Sequence, residues 1–301
     1  MKFNARLTVA LAGMAIASVI VITLTQTVTA LPASEVSTIA KDLTIMVDGQ
    51  NPGSGVLIAK QGKTYFVLTA AHVVGTEDEY TIVAPDGNRY PLNYKTVKKL
   101  PGVDLAVLQF TSNENYSVAR LADSNQVTEG TQVYTAGFAN PGQGTNERIY
   151  RFTIGGISGR LPNPIEGYAL MYTNSTRVGF SGGPVLDANG FLVGIHGRAE
   201  GEADQTSGNE SGTTDMNKTG FNLGIPIKTF LELAPKAGVD LGLRIEKSSL
   251  TVQEQFTTPP QTVQGPTVTS PPPPVSPIVP TVVRPSAVPE EEPVCAGRRC
   301  I

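Results

Sequence analysis

Gly179-Phe180-Ser181-Gly182-Gly183-Pro184 is the stretch that decides how this chain is read, and Thr69-Ala70-Ala71-His72 upstream is its counterpart. A serine set between glycines, just ahead of an apolar run, suits a nucleophile whose flanking backbone must approach another molecule closely. A histidine closing the run Tyr65-Phe66-Val67-Leu68-Thr69-Ala70-Ala71-His72 suits a base held rigidly at a strand end. The chain holds only two histidines, His72 and His196. A serine hydroxyl is a weak nucleophile at neutral pH. It needs a base to take its proton, and the base needs a third group to fix its tautomer. Asp104, in Gly102-Val103-Asp104-Leu105-Ala106-Val107-Leu108, lies beside a strongly apolar run and supplies a carboxylate for that task. The order is then His72, Asp104, Ser181.

Around these motifs short β-rich runs alternate with turns. They are Ser54–Ala59, Tyr65–Thr69, Tyr80–Ala84, Leu105–Phe110, Gln132–Phe138, Arg151–Ile157, Tyr168–Thr173, Pro184–Leu186 and Phe191–Ile195. Many short strands separated by Gly, Pro and Asn turns point to an all-β sandwich or barrel rather than a parallel α/β sheet. One helix is expected, from Ile227 to Ala237, with Phe230, Leu231 and Ala234 on one face. The polar, Gly-rich segment 199–220 reads as a solvated surface loop, with a calcium or substrate loop as the alternative.

Of the 301 residues 40% are hydrophobic, enough for a sizeable core. The net charge is -3 and the sequence pI about 5.5, so no overall basic bias points to nucleic acid. Lys2 and Arg6 precede an apolar stretch from Leu7 to Leu24, and Val28-Thr29-Ala30 follows with small residues. This pattern predicts a signal peptide over residues 1–30, cut after Ala30; an uncleaved membrane anchor is the alternative, and either exports the protein to a secreted, periplasmic or envelope location. Twelve of the 23 prolines fall after residue 250. Residues 251–301 therefore read as an extended, disordered spacer, or as a tether or ligand for an envelope partner. The only cysteines, Cys295 and Cys300, close that tail, as a bridge around a small loop or as free thiols.

On the strength of Thr-Ala-Ala-His combined with Gly-x-Ser-Gly-Gly-Pro, the chain resembles the chymotrypsin-like serine peptidases, and among them the bacterial trypsin-like, HtrA-like and glutamyl-endopeptidase groups. The resemblance covers roughly residues 36 to 240. It implies two antiparallel six-stranded β-barrels with a C-terminal helix. The peptidase domain would span 36–245, with barrels at about 36–130 and 131–225 and the helix at 227–237. It implies protein or peptide substrates, no cofactor and no metal. Ser181 would attack the scissile carbonyl, His72 would act as base, and Asp104 would orient it. The backbone N–H groups of Gly179 and Ser181 would form the oxyanion hole.

Two departures matter. Phe180 stands where many relatives carry an acidic residue that pairs with a newly released N-terminus, and no Ile-Val-Gly-Gly activation sequence opens the domain. In such enzymes the primary pocket is built from the segment before the nucleophile and the strand after it, here Ser175, Thr176, His196 and Arg198. No aspartate stands at the floor position, Ser175, which disfavours Arg or Lys as the residue preceding the cut bond. Thr176 and His196 match the hydroxyl and imidazole that glutamyl endopeptidases use for Glu; the alternative is that His196 only packs beneath the triad. Two readings of another class stay open: a non-catalytic binding protein on this scaffold, and an envelope-tethered interaction protein acting through its Pro-rich tail.

Overall fold

The computed structural model describes residues 30–142, 144–200 and 219–246. The expected leader, most of the 199–220 loop, the Pro-rich tail and both cysteines lie outside the described residues. Thirteen strands and two α-helices follow in order: α1 (Ala33–Leu43), β1 (Thr44–Asp48), β2 (Gly53–Gln61), β3 (Thr64–Thr69), β4 (Thr81–Val83), β5 (Arg89–Pro91), β6 (Lys98–Lys99), β7 (Ala106–Thr111), β8 (Gln132–Ala139), β9 (Ile149–Arg160), β10 (Leu170–Tyr172), β11 (Pro184–Leu186), β12 (Leu192–Ala199), β13 (Asn222–Pro226) and α2 (Ile227–Leu233). All strand pairs are antiparallel.

The second half closes as the expected six-stranded barrel, in the order β10-β13-β12-β11-β8-β9. The first half is a seven-stranded sheet in the order β5-β4-β1-β2-β3-β7-β6. Two of its strands, β5 and β6, are three and two residues long and half-exposed or exposed. Short edge strands of this kind, carrying Arg89, Lys98 and Lys99, blunt a sheet margin. The junction falls before β8, where the sequence pattern restarts at Gln132.

Alternation explains the strands. In β3, Tyr65, Val67 and Leu68 are fully buried, and β7 places Phe110, Leu108 and Val107 opposite them. β2 and β3 are joined by the two-residue turn Gly62-Lys63, a length that suits a tight hairpin. The helix expected over Ile227 to Ala237 forms as α2 followed by a 3₁₀ turn, Ala234–Ala237, in which Pro235 tightens the winding. Ile227, Phe230 and Ala234 are its buried stripe.

Helix α1 was not expected. Val36, Ala40 and Leu43 recur at helical spacing and are buried, each larger side chain contributing about 1.5–3 kcal/mol. Leu31 N–H donates to Ala188 O at 2.9 Å, and Ile39 packs beside Gly190. The helix runs without a loop into β1, so it rests on the second barrel while continuing into the first sheet.

Candidate active site

Strand register brings the first two site residues together. Thr69, the last residue of β3, pairs with Ala106, the first of β7. His72 follows Thr69 by three positions, in a single 3₁₀ turn, Ala71–Val74, and Asp104 precedes Ala106 by two. The His72 backbone N–H donates to Asp104 Oδ1 at 2.8 Å, and His72 Nδ1 meets Asp104 Oδ2 at 2.6 Å. The Asp104 side chain is 6% exposed while that of His72 is 42% exposed. The carboxylate is thus hidden and the imidazole is open on its far side. Burial alone pushes the Asp104 pKa up. The hydrogen bond and charge of His72, with a further hydrogen bond from Tyr168, outweigh it and hold the group at about 2.

Ser181 lies in the turn between β10 and β11. Pro184 pairs with Ile195, and beyond that ladder Gly182 N–H donates to His196 O at 2.8 Å while His196 N–H donates to Gly183 O at 2.9 Å. The Ser181 hydroxyl donates to Gly197 O at 2.8 Å, so in this conformation its proton is not directed at His72. Gly179 and Gly182 both sit at positive φ, +99° and +88°. A Cβ at 179 would come within 2.3 Å of Phe138 O, and one at 182 within 2.1 Å of Ser54 O and of Thr69 Oγ1. The two glycines therefore answer both a backbone conformation and a lack of room. Phe180 is buried, 1% exposed, its ring edge-on to His196 at 6.3 Å between centroids.

Two residues were not singled out in the sequence, one that holds this turn directly and one that braces the strands behind it. Ser54, fully buried in β2, donates its hydroxyl to Gly179 O at 2.7 Å and accepts from Phe138 N–H at 2.8 Å; its own N–H donates to Ser181 O at 2.8 Å. Arg148 donates Nη1 to Val47 O at 2.8 Å, and Nη2 to Gly53 O at 2.7 Å and to Phe138 O at 3.0 Å. Its fork thus joins the first sheet to β8. Neither residue belongs to a short motif; each acts through backbone carbonyls that only the fold assembles.

The residues expected to form a pocket separate. His196 is 3% exposed, and its Nδ1 lies 2.6 Å from the Tyr172 hydroxyl. Burial, with the charge of His72, pushes its pKa down to about 3, so it is neutral near pH 7. Thr176 is half-buried and donates its hydroxyl to Asn222 Oδ1, while Asn222 Nδ2 donates to Asn174 O. Ser175 is exposed. Arg198 departs from His196. The β12–β13 ladder pairs His196 with Gly224 and then Arg198 with Leu223, leaving Gly197 as an extra bulged residue. The bulge turns Arg198 to the opposite face. There its guanidinium pairs with Glu166, lies 4.4 Å from the Tyr168 ring centroid and stands 4.0 Å from Asp104 Oδ2. Among the described residues no cluster of His, Cys, Asp or Glu has the arrangement of a metal site.

Residues 53–195 match the trypsin-like peptidase domain. The periplasmic serine endoprotease DegP of Salmonella typhimurium (strain LT2) is 31% identical over 147 residues, covering 48% of this chain and 29% of that protein. The serine protease HtrA-like protein of Staphylococcus epidermidis (strain ATCC 12228) is 29% identical over 153 residues, covering 48% and 26%. The chain thus spans less than a third of the length of these curated relatives. Among solved structures, the HtrA-type protease AlgW with tripeptide aligns at a TM-score of 0.54 and 21% identity, covering 71% of this chain and 65% of that one. Rv3671c from M. tuberculosis H37Rv, in a mutant inactive form, aligns at 0.52 and 18%, covering 70% and 95%. Over Gly53 to Ile195 the chain is thus similar to trypsin-like peptidase domains, and its fold is similar to that of the HtrA-type proteases.

Proposed function

We propose that the chain is a serine endopeptidase, with Ser181 as nucleophile, His72 as general base and then acid, and Asp104 as the group that orients His72. The observation that carries this reading is the pairing of an open imidazole with a buried, ionised carboxylate at a 2.6 Å contact. A carboxylate on Nδ1 fixes the tautomer that leaves Nε2 free to accept a proton, and stabilises the imidazolium that follows. Ser181 Oγ leaves Gly197 O and turns to His72 Nε2 as substrate docks, in keeping with the looser geometry of unliganded sites. The N–H groups of Gly179 and Ser181 then receive the oxyanion of the tetrahedral intermediate. The amine leaves with the proton from His72, and water repeats the sequence on the acyl-enzyme. Phe180, buried and apolar, takes the place of an acidic anchor, so no newly released N-terminus is needed to order the turn.

Glu is the favoured residue on the acyl side of the cut bond. His196 supports this in the tautomer whose Nδ1 accepts the Tyr172 phenol proton: Nε2 then carries the ring proton and can donate it to a carboxylate. Thr176 gives its hydroxyl proton to Asn222 Oδ1 and joins His196 only by turning that proton to the substrate carboxylate. Arg198 does not join them. Export to the envelope is the location consistent with the relatives named periplasmic. The Ser181 to Gly197 hydrogen bond favours one rival, a binding scaffold without turnover.

The test is cleavage of a peptide library by the full chain beside Ser181→Ala. Serine-dependent cleavage after Glu supports both enzyme and pocket. Serine-dependent cleavage elsewhere keeps the enzyme and removes the pocket. Equal, background cleavage by both proteins sinks the enzyme and leaves the scaffold.

A further inference from the structure

Asp104 has a third hydrogen-bond donor that the mechanism above does not use. Tyr168 stands just before β10, in the second barrel, and its hydroxyl donates to Asp104 Oδ2, the oxygen that also meets His72 Nδ1. The residue is buried, 3% exposed. Burial and the Asp104 charge push its pKa well above the usual phenol value, so it is a proton donor throughout the working range.

Its position is fixed on every side. The turn Ile165–Tyr168 is closed by Tyr168 N–H to Ile165 O at 3.0 Å, and Glu166 within it adopts φ +50°. The Glu166 carbonyl accepts from Asp104 N–H at 2.9 Å, so the same turn grips both the main chain and the side chain of Asp104. The Tyr168 ring lies directly against the Gly197 backbone: a Cβ at 197 would fall 2.0 Å from Tyr168 Cε1. Arg198 covers the ring at 4.4 Å. One aromatic side chain therefore touches Asp104 of the first sheet with its hydroxyl. With its edge it touches Gly197, the residue whose carbonyl holds the Ser181 hydroxyl.

We infer that Tyr168 is a positioning residue: it fixes the Asp104 carboxylate, and through it His72, relative to the strand that presents Ser181. This rests on the endopeptidase reading. A hydroxyl bonded to an ionised carboxylate away from solvent typically contributes enough to change a rate by about ten- to a hundredfold when removed. Because Tyr168 acts through Asp104, its loss lowers kcat and leaves KM nearly unchanged.

The experiment compares wild type, Tyr168→Phe, Asp104→Asn and the double variant, each as the full chain. It reads peptide kcat and KM and the second-order rate of Ser181 modification by a fluorophosphonate. Tyr168→Phe lowers kcat and the modification rate by about ten- to a hundredfold, with KM within about twofold. On the Asp104→Asn background the same substitution costs less than about twofold, since the acceptor it serves has changed. A general loosening of the fold would instead lower the rate equally on both backgrounds, and that result overturns the inference. So does a Tyr168→Phe enzyme as fast as wild type. A wild type that neither cleaves nor reacts overturns the endopeptidase reading and the positioning role with it, whereas a reactive wild type with an indifferent Tyr168→Phe removes the positioning role alone.

Discussion

Ser54 and Gly179 lie 125 residues apart in sequence and are joined by a hydrogen bond of 2.7 Å, the Ser54 hydroxyl donating to the Gly179 carbonyl. The bond crosses from the first sheet to the turn that carries Ser181. It fixes the peptide plane after Gly179, and the Ser54 N–H fixes the plane after Ser181. The plane between them, which carries the Ser181 N–H, is thereby held from both ends.

Ser54→Ala removes the side-chain bond and strands Phe138 N–H in the interior. The expected cost is about 1–3 kcal/mol of stability, with kcat falling by roughly tenfold and KM changing little. Urea unfolding and steady-state kinetics on the same protein check it. An unchanged kcat would show that the turn is ordered without Ser54.

Gly182→Ala combines a positive φ with a Cβ placed 2.1 Å from the Ser54 carbonyl oxygen. Backbone cannot retreat as a flexible side-chain end can. A loss of at least about 2 kcal/mol is expected, along with Ser181 reactivity. Thermal melting and fluorophosphonate labelling measure the two separately.

Acid sensitivity should arrive in two windows. His196 is depressed to about 3 in the fold, against about 6.5 when unfolded, so the unfolded chain binds the extra proton first. Its contribution is full above about pH 6.5 and is lost as pH falls toward 3. Asp104, at about 2 against about 3.9 unfolded, contributes fully above about pH 4 and is lost between there and 2. That second contribution is on the order of 2 kcal/mol. Urea midpoints measured from pH 8 to pH 3 should therefore begin to fall near 6.5. In His196→Gln the upper window should flatten.

Arg148→Met keeps much of the stem but removes three hydrogen bonds to carbonyls of Val47, Gly53 and Phe138. A destabilisation of about 2–4 kcal/mol is expected, because bonds from a charged donor are lost at a half-closed site. Arg148→Lys should recover little of it, since one ammonium cannot span carbonyls on both sides as the planar fork does. Equal stability of the Lys variant and wild type would contradict that geometry.

What the sequence disclosed followed from local pattern. Each of the nine β-rich runs overlaps an observed strand, and the His72, Asp104 and Ser181 segments stand out because glycine, apolar runs and a polar residue out of place are visible in one dimension. Helix α1 stayed hidden because its stripe, Val36, Ala40 and Leu43, is short and adjoins an apolar leader. Strand β13 stayed hidden because Gly224 and Pro226 weaken its β signal, and it follows a long polar stretch. Ser54, Arg148 and Tyr168 were illegible for another reason. Their partners are carbonyls or a carboxylate distant in sequence, and no spacing rule predicts such meetings. Arg198 shows the same limit in reverse: its strand position was clear, but one bulged glycine decided which way it faces.

The region recognised by similarity runs from 53 to 195, yet α1, β1, β13 and α2 all lie outside it. Strand β13 is needed to close the barrel between β10 and β12, and β1 bridges β2 and β4. The segment that leads into helix α1 is fastened to the second barrel by the bond from Leu31 N–H to Ala188 O. An excised fragment matching the recognised stretch would be a ring with a missing stave and a sheet split in two. The smallest piece that could be moved into another protein and still fold is therefore set by the helix at one end and by Glu246, bonded to Leu121 and Arg120, at the other.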